Sequence, residues 1–215
     1  MRILITAGGT REYIDPVRFI SNASSGKMGY ALARAAVGAG HKVTLISTSD
    51  LQPAVGVEFV GVDTAAEMFA AVKRFFPKCD CLIMAAAVAD YTVAGVAKTK
   101  IKRTGKSRII ELKPTADILK WAGQHKKVES KKVKRKRQKI VVGFALEDKN
   151  VRANAEKKLK EKNLDMIVAN TLAAIGADKT TVQIKTPEFG WTEIENATKA
   201  AIAKKVVRLA ENVLR

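Results

Sequence analysis

Between Arg2 and Ala86 the chain alternates short β-rich apolar runs with stretches of helical period, and no other feature restricts its fold as much. Arg2 to Thr6 reads as a strand and is followed by a long loop. Lys27 to Ala39 then has the Ala, Leu and Met content of a strong helix, with Gly40 placed to stop it. Lys42 to Ser47 and Val57 to Val62 are β-rich, Thr64 to Phe76 is helical in period, and Cys81 to Ala86 is a further apolar strand. Strands separated by helices are joined by crossovers, so the alternation predicts βαβ units and a parallel sheet. Aromatic residues make up only 6% of the chain, so the core must be built from Val, Ile, Leu and Ala, as in strands covered on both faces. With 215 residues, 47% of them hydrophobic, one substantial core is affordable. No linker rich in Pro, Gly or Ser and no internal repeat divides the chain, so residues 1–215 are expected to form a single domain.

Beyond Tyr91 a polar stretch runs to Arg103. A strand is predicted over Ser107 to Leu112, then a helix with Pro114 in its first position and Asp117 in its first turn. Lys139 to Phe144 enters as a strand, Val151 to Lys162 as a helix and Asp165 to Ala169 as a strand, completing a sheet of about six strands by the same pattern rules. The tail predicts a hairpin of Thr181 to Thr186 and Gly190 to Ile194 around Pro187 to Gly190. Asn196 is placed to cap a final helix reaching Leu214.

The net charge of +18 raises the question of nucleic acid, and its distribution answers against it. Within an insert at 126–139, nine basic residues face one acid, Glu129, which accounts for +8 of the excess. The run Lys131-Lys132-Val133-Lys134-Arg135-Lys136-Arg137 has no interleaved aromatics for base stacking, so a solvated loop is the expectation. The rest of the charge is spread along helices and suits polyanionic small substrates. Cys79 and Cys81 flank Asp80 at the start of an apolar strand, where alternation would put both thiols on one face, and the only histidines, His41 and His125, lie elsewhere. Buried thiols in a reducing compartment are expected. Without an apolar leader or a membrane-length apolar stretch, the chain is expected to be soluble and cytoplasmic.

Three loops carry residues suited to chemistry. After the first strand, Gly8 and Gly9 within Thr6-Ala7-Gly8-Gly9-Thr10 let backbone amides approach an anion, although a plain tight turn fits equally well. The dinucleotide fingerprint G-x-G-x-x-G is not met: its third glycine is absent, and the chain passes through Asp15-Pro16 instead of entering a helix. The second loop, Ser21 to Gly29, places Asn22, Ser24, Ser25, Gly26 and Lys27 at a helix N-terminus. It fails the Walker pattern because Ser21 and Met28 stand at its two ends, and a serine-rich N-cap is the alternative. The third, Met84 to Tyr91, ends a central strand with small residues and then Asp90, whose charge calls for a solvated cleft. Downstream, Lys100-Ile101-Lys102-Arg103 could close over phosphates.

Taken together, Ile3 to Glu12, Ile14 to Asn22, Ser24 to Gly29, Ala86 to Tyr91, Lys100 to Lys102, Asp117 to Leu119, Val142 to Glu147, Lys158 through Asp165, and Ala169-Asn170 resemble the phosphopantothenoylcysteine synthetase family. This is the ligase domain of the bacterial bifunctional protein of coenzyme A biosynthesis, and the match spans most of the chain in order. The resemblance implies an α/β fold with a Rossmann-like, mostly parallel sheet, a C-terminal β-hairpin and a terminal helix. It implies a two-step ligation. The carboxylate of 4′-phosphopantothenate attacks the α-phosphate of CTP, releasing pyrophosphate, and the amine of L-cysteine then displaces CMP from the acyl-cytidylate.

By the same resemblance Asn22 and Lys100 are catalytic. Gly8, Gly9, Asp90, Lys100, Ala116, Asp117, Ile118, Leu119, Phe144, Lys158 and Lys162 face the nucleotide, and Arg18, Asn22, Ser24, Ser25 and Gly26 hold phosphopantothenate. Lys158 and Lys162 stand four residues apart, on one helix face, as a shared anionic ligand requires. Mg²⁺ would escort the triphosphate, its protein ligands left open. A homodimer is implied, with the Lys100 segment and the C-terminal hairpin near the subunit contact. Three departures stand out: Ala116 replaces a proline common in the family, the basic insert is long, and Met1 begins at the ligase where many members carry a flavin-dependent decarboxylase. A separate decarboxylase is then expected to act next, and ATP becomes a candidate beside CTP. Two further readings stay open: a nicotinamide-dependent oxidoreductase, for which no Tyr-x-x-x-Lys dyad is present, and an RNA-binding protein using the insert.

Overall fold

A computed structural model describes residues 1–128, 137–186 and 190–213. In chain order the strands are β1 (Arg2–Ala7), β2 (Arg11–Tyr13), β3 (Phe19–Ser21), β4 (Lys42–Ser47), β5 (Val57–Gly61), β6 (Cys81–Met84), β7 (Tyr91–Val93), β8 (Leu112–Pro114), β9 (Lys127–Val128), β10 (Arg137–Gln138), β11 (Ile140–Glu147), β12 (Met166–Thr171), β13 (Lys179–Thr186) and β14 (Gly190–Thr198). The helices are α1 (Lys27–Gly38), α2 (Ala65–Phe75), α3 (Ile118–Gln124), α4 (Val151–Glu161) and α5 (Lys199–Val213).

Eight strands form one sheet in the order β14-β13-β12-β11-β6-β1-β4-β5. The six from β12 to β5 run parallel, and β13 and β14 add an antiparallel hairpin at one edge. This is the expected mostly parallel sheet. Because β1 lies at the centre, with β4 on one side and β6 on the other, the direction of winding reverses between β1 and β6. Open α/β sheets gather their ligands at such a reversal.

Alternation along the strands divides the core in two. Ile3, Ile5, Cys81, Ile83, Val142, Met166 and Val168 face α1 and α5, whereas Leu4, Leu82, Val141, Ile167 and Ala169 face α2, α3 and α4. Each fully buried Ile or Leu contributes roughly 1.5–3 kcal/mol, which is why these β-branched runs read so clearly as strands. The helix ends agree with the sequence. Thr64 caps α2 in a reciprocal capping box with Glu67, and Gly40, at φ +80°, follows the end of α1.

Several expectations need correction. Pro114 closes β8, and α3 begins at Ile118, four residues later than expected, because Asp117 is its N-cap and accepts the Lys120 amide at 2.9 Å. Of Ser107 to Leu112 only Leu112 is in a strand. Ile109 stays 99% exposed, with no neighbouring sheet to receive it. Asn196 lies inside β14 at φ 44°, and Thr198 caps α5 instead, accepting the Ala201 amide at 3.2 Å. Cys79 and Cys81 do not share a face. Cys79 caps the 3-10 turn of Phe76–Lys78 ahead of β6, so strand alternation does not reach it; it packs with the α2 side and Cys81 with the α1 side. Burial pushes the Cys79 thiol up to about 12 and the Cys81 thiol well above its ordinary value.

Lys126 and Lys139, counted into the basic insert, are buried. Lys126 pairs with Asp165 at 2.8 Å, and Lys139 donates to the carbonyls of Pro77 and Cys79. They anchor the base of the insert, where β9 and β10 pair; residues 129–136 lie outside the described residues, as do Pro187 and Leu214. Among the described residues no helix is long and apolar enough to cross a membrane.

Candidate functional site

The cleft above the carboxyl ends of β1, β6, β11 and β12 encloses about 580 Å³. Its floor begins where β1 ends. Gly8 sits at φ +86°, and an added Cβ there would come within 2.2 Å of the Thr48 hydroxyl; one on Gly9 would meet the Asn22 carbonyl at 2.6 Å. The Gly8 carbonyl accepts the Ala87 amide at 2.8 Å. These two glycines therefore let protein segments approach each other, and neither lines the cleft.

The helix-packing glycine missing from the fingerprint is supplied farther along. A Cβ on Gly29 would lie 2.4 Å from that of Ala7, so Gly29 allows α1 to press against β1. A long insertion between Gly9 and α1, containing the β2–β3 hairpin, hid this equivalence from the sequence pattern.

Asn22, Ser24, Ser25, Gly26 and Lys27 form one wall at the start of α1. The Asn22 amide donates to the carbonyls of Ala87 and Val88 at 3.3 and 3.2 Å, which clamps the loop over the end of β6. Asp90 and the segment from Thr115 to Leu119 form the opposite wall. They are joined because the Thr115 amide donates to the Asp90 carbonyl at 2.9 Å and its hydroxyl to the Ala89 carbonyl at 2.6 Å. Two glycines seat this wall: a Cβ on Gly123 would strike the Lys162 carbonyl at 1.8 Å, and one on Gly143 would strike Leu164 and Leu119.

Lys158 and Lys162 project into the cleft from the end of α4, as their spacing suggested. Each has a carboxylate partner: Glu147 for Lys158 at 3.6 Å and Asp117 for Lys162 at 2.9 Å. Partial burial alone would raise the Asp117 carboxyl, but the Lys120 amide and the Lys162 ammonium outweigh it and hold it below its ordinary value. Both pairs are partly exposed and hence weak, so a polyanion can compete for the ammonium groups. Phe144 also lines the cleft, from the α1 and α5 side of the sheet.

Arg18 and Lys100 lie outside this lining. The Arg18 guanidinium is bound to the fully buried Asp15 and donates to the Ile101 carbonyl at 2.9 Å; Asp15 also accepts the amides of Val17, Arg18 and Ile101. The Arg18 hydrogen bond holds the Asp15 carboxyl well below the usual carboxylate range. This knot pins the segment next to the exposed Lys100. The sequence reading missed Thr115, Asn170, Thr180 and Lys199, all of which line the cleft. Asn170 alone had a signal, in Ala169-Asn170. Among the described residues no three His, Cys, Asp or Glu side chains gather to hold a metal.

The sequence profile of the DNA/pantothenate metabolism flavoprotein C-terminal domain matches residues 1–213. The coenzyme A biosynthesis bifunctional protein CoaBC of Bacillus subtilis is 48% identical over 81% of this chain and 41% of its own length. A protein named cysteine/cysteine sulfinic acid decarboxylase, from an unknown prokaryotic organism, is 43% identical over 96% of the chain and 57% of its own length. This chain thus spans about half the length of the curated relatives it matches. Among solved structures, the C-terminal domain of a CoaBC protein superposes with a TM-score of 0.81 at 41% identity, covering 99% of this chain and 95% of that one.

Proposed function

This chain belongs to the DNA/pantothenate metabolism flavoprotein C-terminal domain family, and from that premise we propose that it is a phosphopantothenate–cysteine ligase of coenzyme A biosynthesis. It joins 4′-phosphopantothenate to L-cysteine through an acyl-nucleotide intermediate. The observation that carries this reading is a cleft at the winding reversal with Lys158 and Lys162 on one wall and the Asn22 loop at a helix N-terminus on the other.

The chemistry asks for charge neutralisation and alignment, with no protein nucleophile. The ammonium groups of Lys158 and Lys162 leave their carboxylates for the phosphates. The small side chains of Ala85, Ala86 and Ala87 let the reacting acid lie against the backbone, and Lys100, exposed on the pinned segment outside this lining, would have to move over the phosphates to reach them. Asn22, held at the Ala87 and Val88 carbonyls, orients the acyl group. Mg²⁺ would enter with the triphosphate, beside the carboxylates of Asp90 and Asp117 that line the cleft, and would supply charge neutralisation there. CTP is the proposed nucleotide, with ATP the competitor. The exposed apolar side chains of Val17, Phe19, Ile20 and Tyr91 on neighbouring hairpins favour a homodimer.

The test is mass spectrometry of 4′-phosphopantothenoyl-cysteine formed with CTP or ATP. Amide is expected with CTP and should fall about 10²–10³-fold in Lys158→Gln/Lys162→Gln, the scale of removed transition-state charge stabilisation. Folded protein that forms no amide with either nucleotide would refute the reading.

A further inference from the structure

Helix α4 brings Lys158 and Lys162 to the cleft, yet it has little apolar surface to seat it. Ala155 is its one fully buried residue, and Val151 and Leu159 add only partly buried contact. Burial of an apolar face is what ordinarily holds a helix to a sheet, so α4 needs another anchor. Its C-terminal end is fixed by backbone. A Cβ on Gly123 of α3 would strike the Lys162 carbonyl at 1.8 Å, and the Asn163 side chain donates to the Gly123 carbonyl at 2.8 Å. The body of the helix is held instead by side chains of the C-terminal hairpin.

Alternation along β13 and β14 gathers those side chains on one face. Val182 and Ile184 pack on the α5 side, so Gln183 and Lys185 take the α4 side, opposite Glu193 and Trp191 in the hairpin register. The Trp191 ring packs against the core layer of α2, α3 and α4. Its indole N–H donates to Glu156 at 2.9 Å, and the Lys185 ammonium pairs with the same carboxylate at 3.1 Å. Arg152, one turn earlier on α4, donates to Gln183 at 3.1 Å and to Glu193 at 3.2 Å. The Arg152 guanidinium and the Lys185 ammonium lie 5.6 and 5.5 Å from the centre of the Trp191 ring, within cation–π range. Singly these partly exposed pairs are weak, but they share one ring and so act as a unit.

Helical periodicity joins this clamp to the cleft. At about 100° per residue, Arg152, Glu156 and Leu159 lie on one flank of the line through Ala155, and Val151, Lys158 and Lys162 on the other. A rotation of α4 that frees Glu156 from Trp191 therefore carries Lys158 with it, while Lys162 stays fixed by the contact with Gly123. We propose that Trp191 and Glu156 are positioning residues for Lys158: the C-terminal hairpin sets the rotation of α4 and so aims that ammonium at the phosphates of the nucleotide. This assignment rests on the ligase reading and gives a role in it to two residues outside the cleft lining.

Calorimetry with CTP and with ATP reports nucleotide binding, and the KM for L-cysteine in amide formation serves as the control. Glu156→Ala and Trp191→Leu should weaken nucleotide binding about fivefold, the scale of a partly exposed charged contact, and leave the cysteine KM unchanged. Glu156→Gln, which keeps an acceptor for the indole N–H, should stay within about twofold of wild type. A double-mutant cycle is the sharper arm: added to Lys158→Gln, Glu156→Ala should have no further effect, whereas added to Lys162→Gln its fivefold loss should multiply. Equal loss in both backgrounds would mean that the clamp only stabilises the fold, and would overturn the positioning role. Unchanged nucleotide affinity in Glu156→Ala, a surface variant that leaves the core intact, would overturn it as well. Wild type that forms no amide would refute the ligase reading, while the cycle, read on nucleotide affinity, still decides the positioning of Lys158. Wild type that binds neither nucleotide would remove both.

Discussion

In the central strands Ile5, Leu45, Leu82 and Ile83 are 0% exposed, whereas on the hairpins above them Val17 is 57% exposed and Tyr91 56%, and on the adjoining loop Ile109 is 99% exposed. Both regions are apolar, but they use apolarity differently. The strands spend it inward, on two core layers that fix the backbone of the cleft. The hairpins hold their shape by a polar knot instead, with Asp15 buried under Arg18 and the Ile101 backbone, and this leaves their apolar side chains turned outward. Stability therefore resides in the sheet, and the rim carries the exposed apolar side chains.

That contrast breaks if core and rim substitutions behave alike. The largest difference is expected between Ile83→Ala and Ile109→Ser in chemical denaturation. The first removes about 2–5 kcal/mol, and the second changes stability by less than about 0.5 kcal/mol. Next comes Gly29→Ala. Its methyl would meet Ala7 at 2.4 Å, so a loss of about 1–3 kcal/mol is expected, together with a shifted α1 and a weaker grip on substrate. A Gly29→Ala protein as stable as wild type would show that α1 is not seated as described.

Thiol labelling sharpens the same contrast. Burial raises both cysteines, so neither Cys79 nor Cys81 should be alkylated by iodoacetamide at pH 8 until the protein unfolds. The smallest effect belongs to Asp117 on the rim. Its folded carboxyl titrates below the unfolded one, so its contribution is whole above the ordinary carboxylate range and disappears as pH falls through the lowered value. Because the group is partly exposed, Asp117→Asn should flatten the stability curve at and below the ordinary carboxylate range by only a few tenths of a kcal/mol. A flatter curve of several kcal/mol would place Asp117 inside the core.

The same division explains what could be read from the sequence. The parallel strands and α1 and α2 were legible almost residue for residue, because burial on both faces demands unbroken apolar runs and amphipathic helices demand a period. Pro114 was misplaced because proline suits both a short edge strand and a first helical turn. Asn22 and Asp90 were legible in their loops and Lys158 and Lys162 through the resemblance, and the structure brings all of them to one cleft. Thr115, Thr180 and Lys199 were not legible, since their role depends on how distant strands register. Gly8 and Gly9 looked like a phosphate loop because close backbone approach requires glycine whatever approaches; here the neighbours are Thr48 and Asn22.

Activation of a carboxylate on a nucleotide in the cleft is tested most directly by isotope transfer. With 4′-phosphopantothenate labelled with ¹⁸O in its carboxylate, an acyl-nucleotide route transfers one labelled oxygen to the nucleoside monophosphate as cysteine displaces it. With CTP as the nucleotide, the acyl-nucleotide route puts that label in CMP. Label found instead in inorganic phosphate, or amide formed with label in neither product, would contradict it.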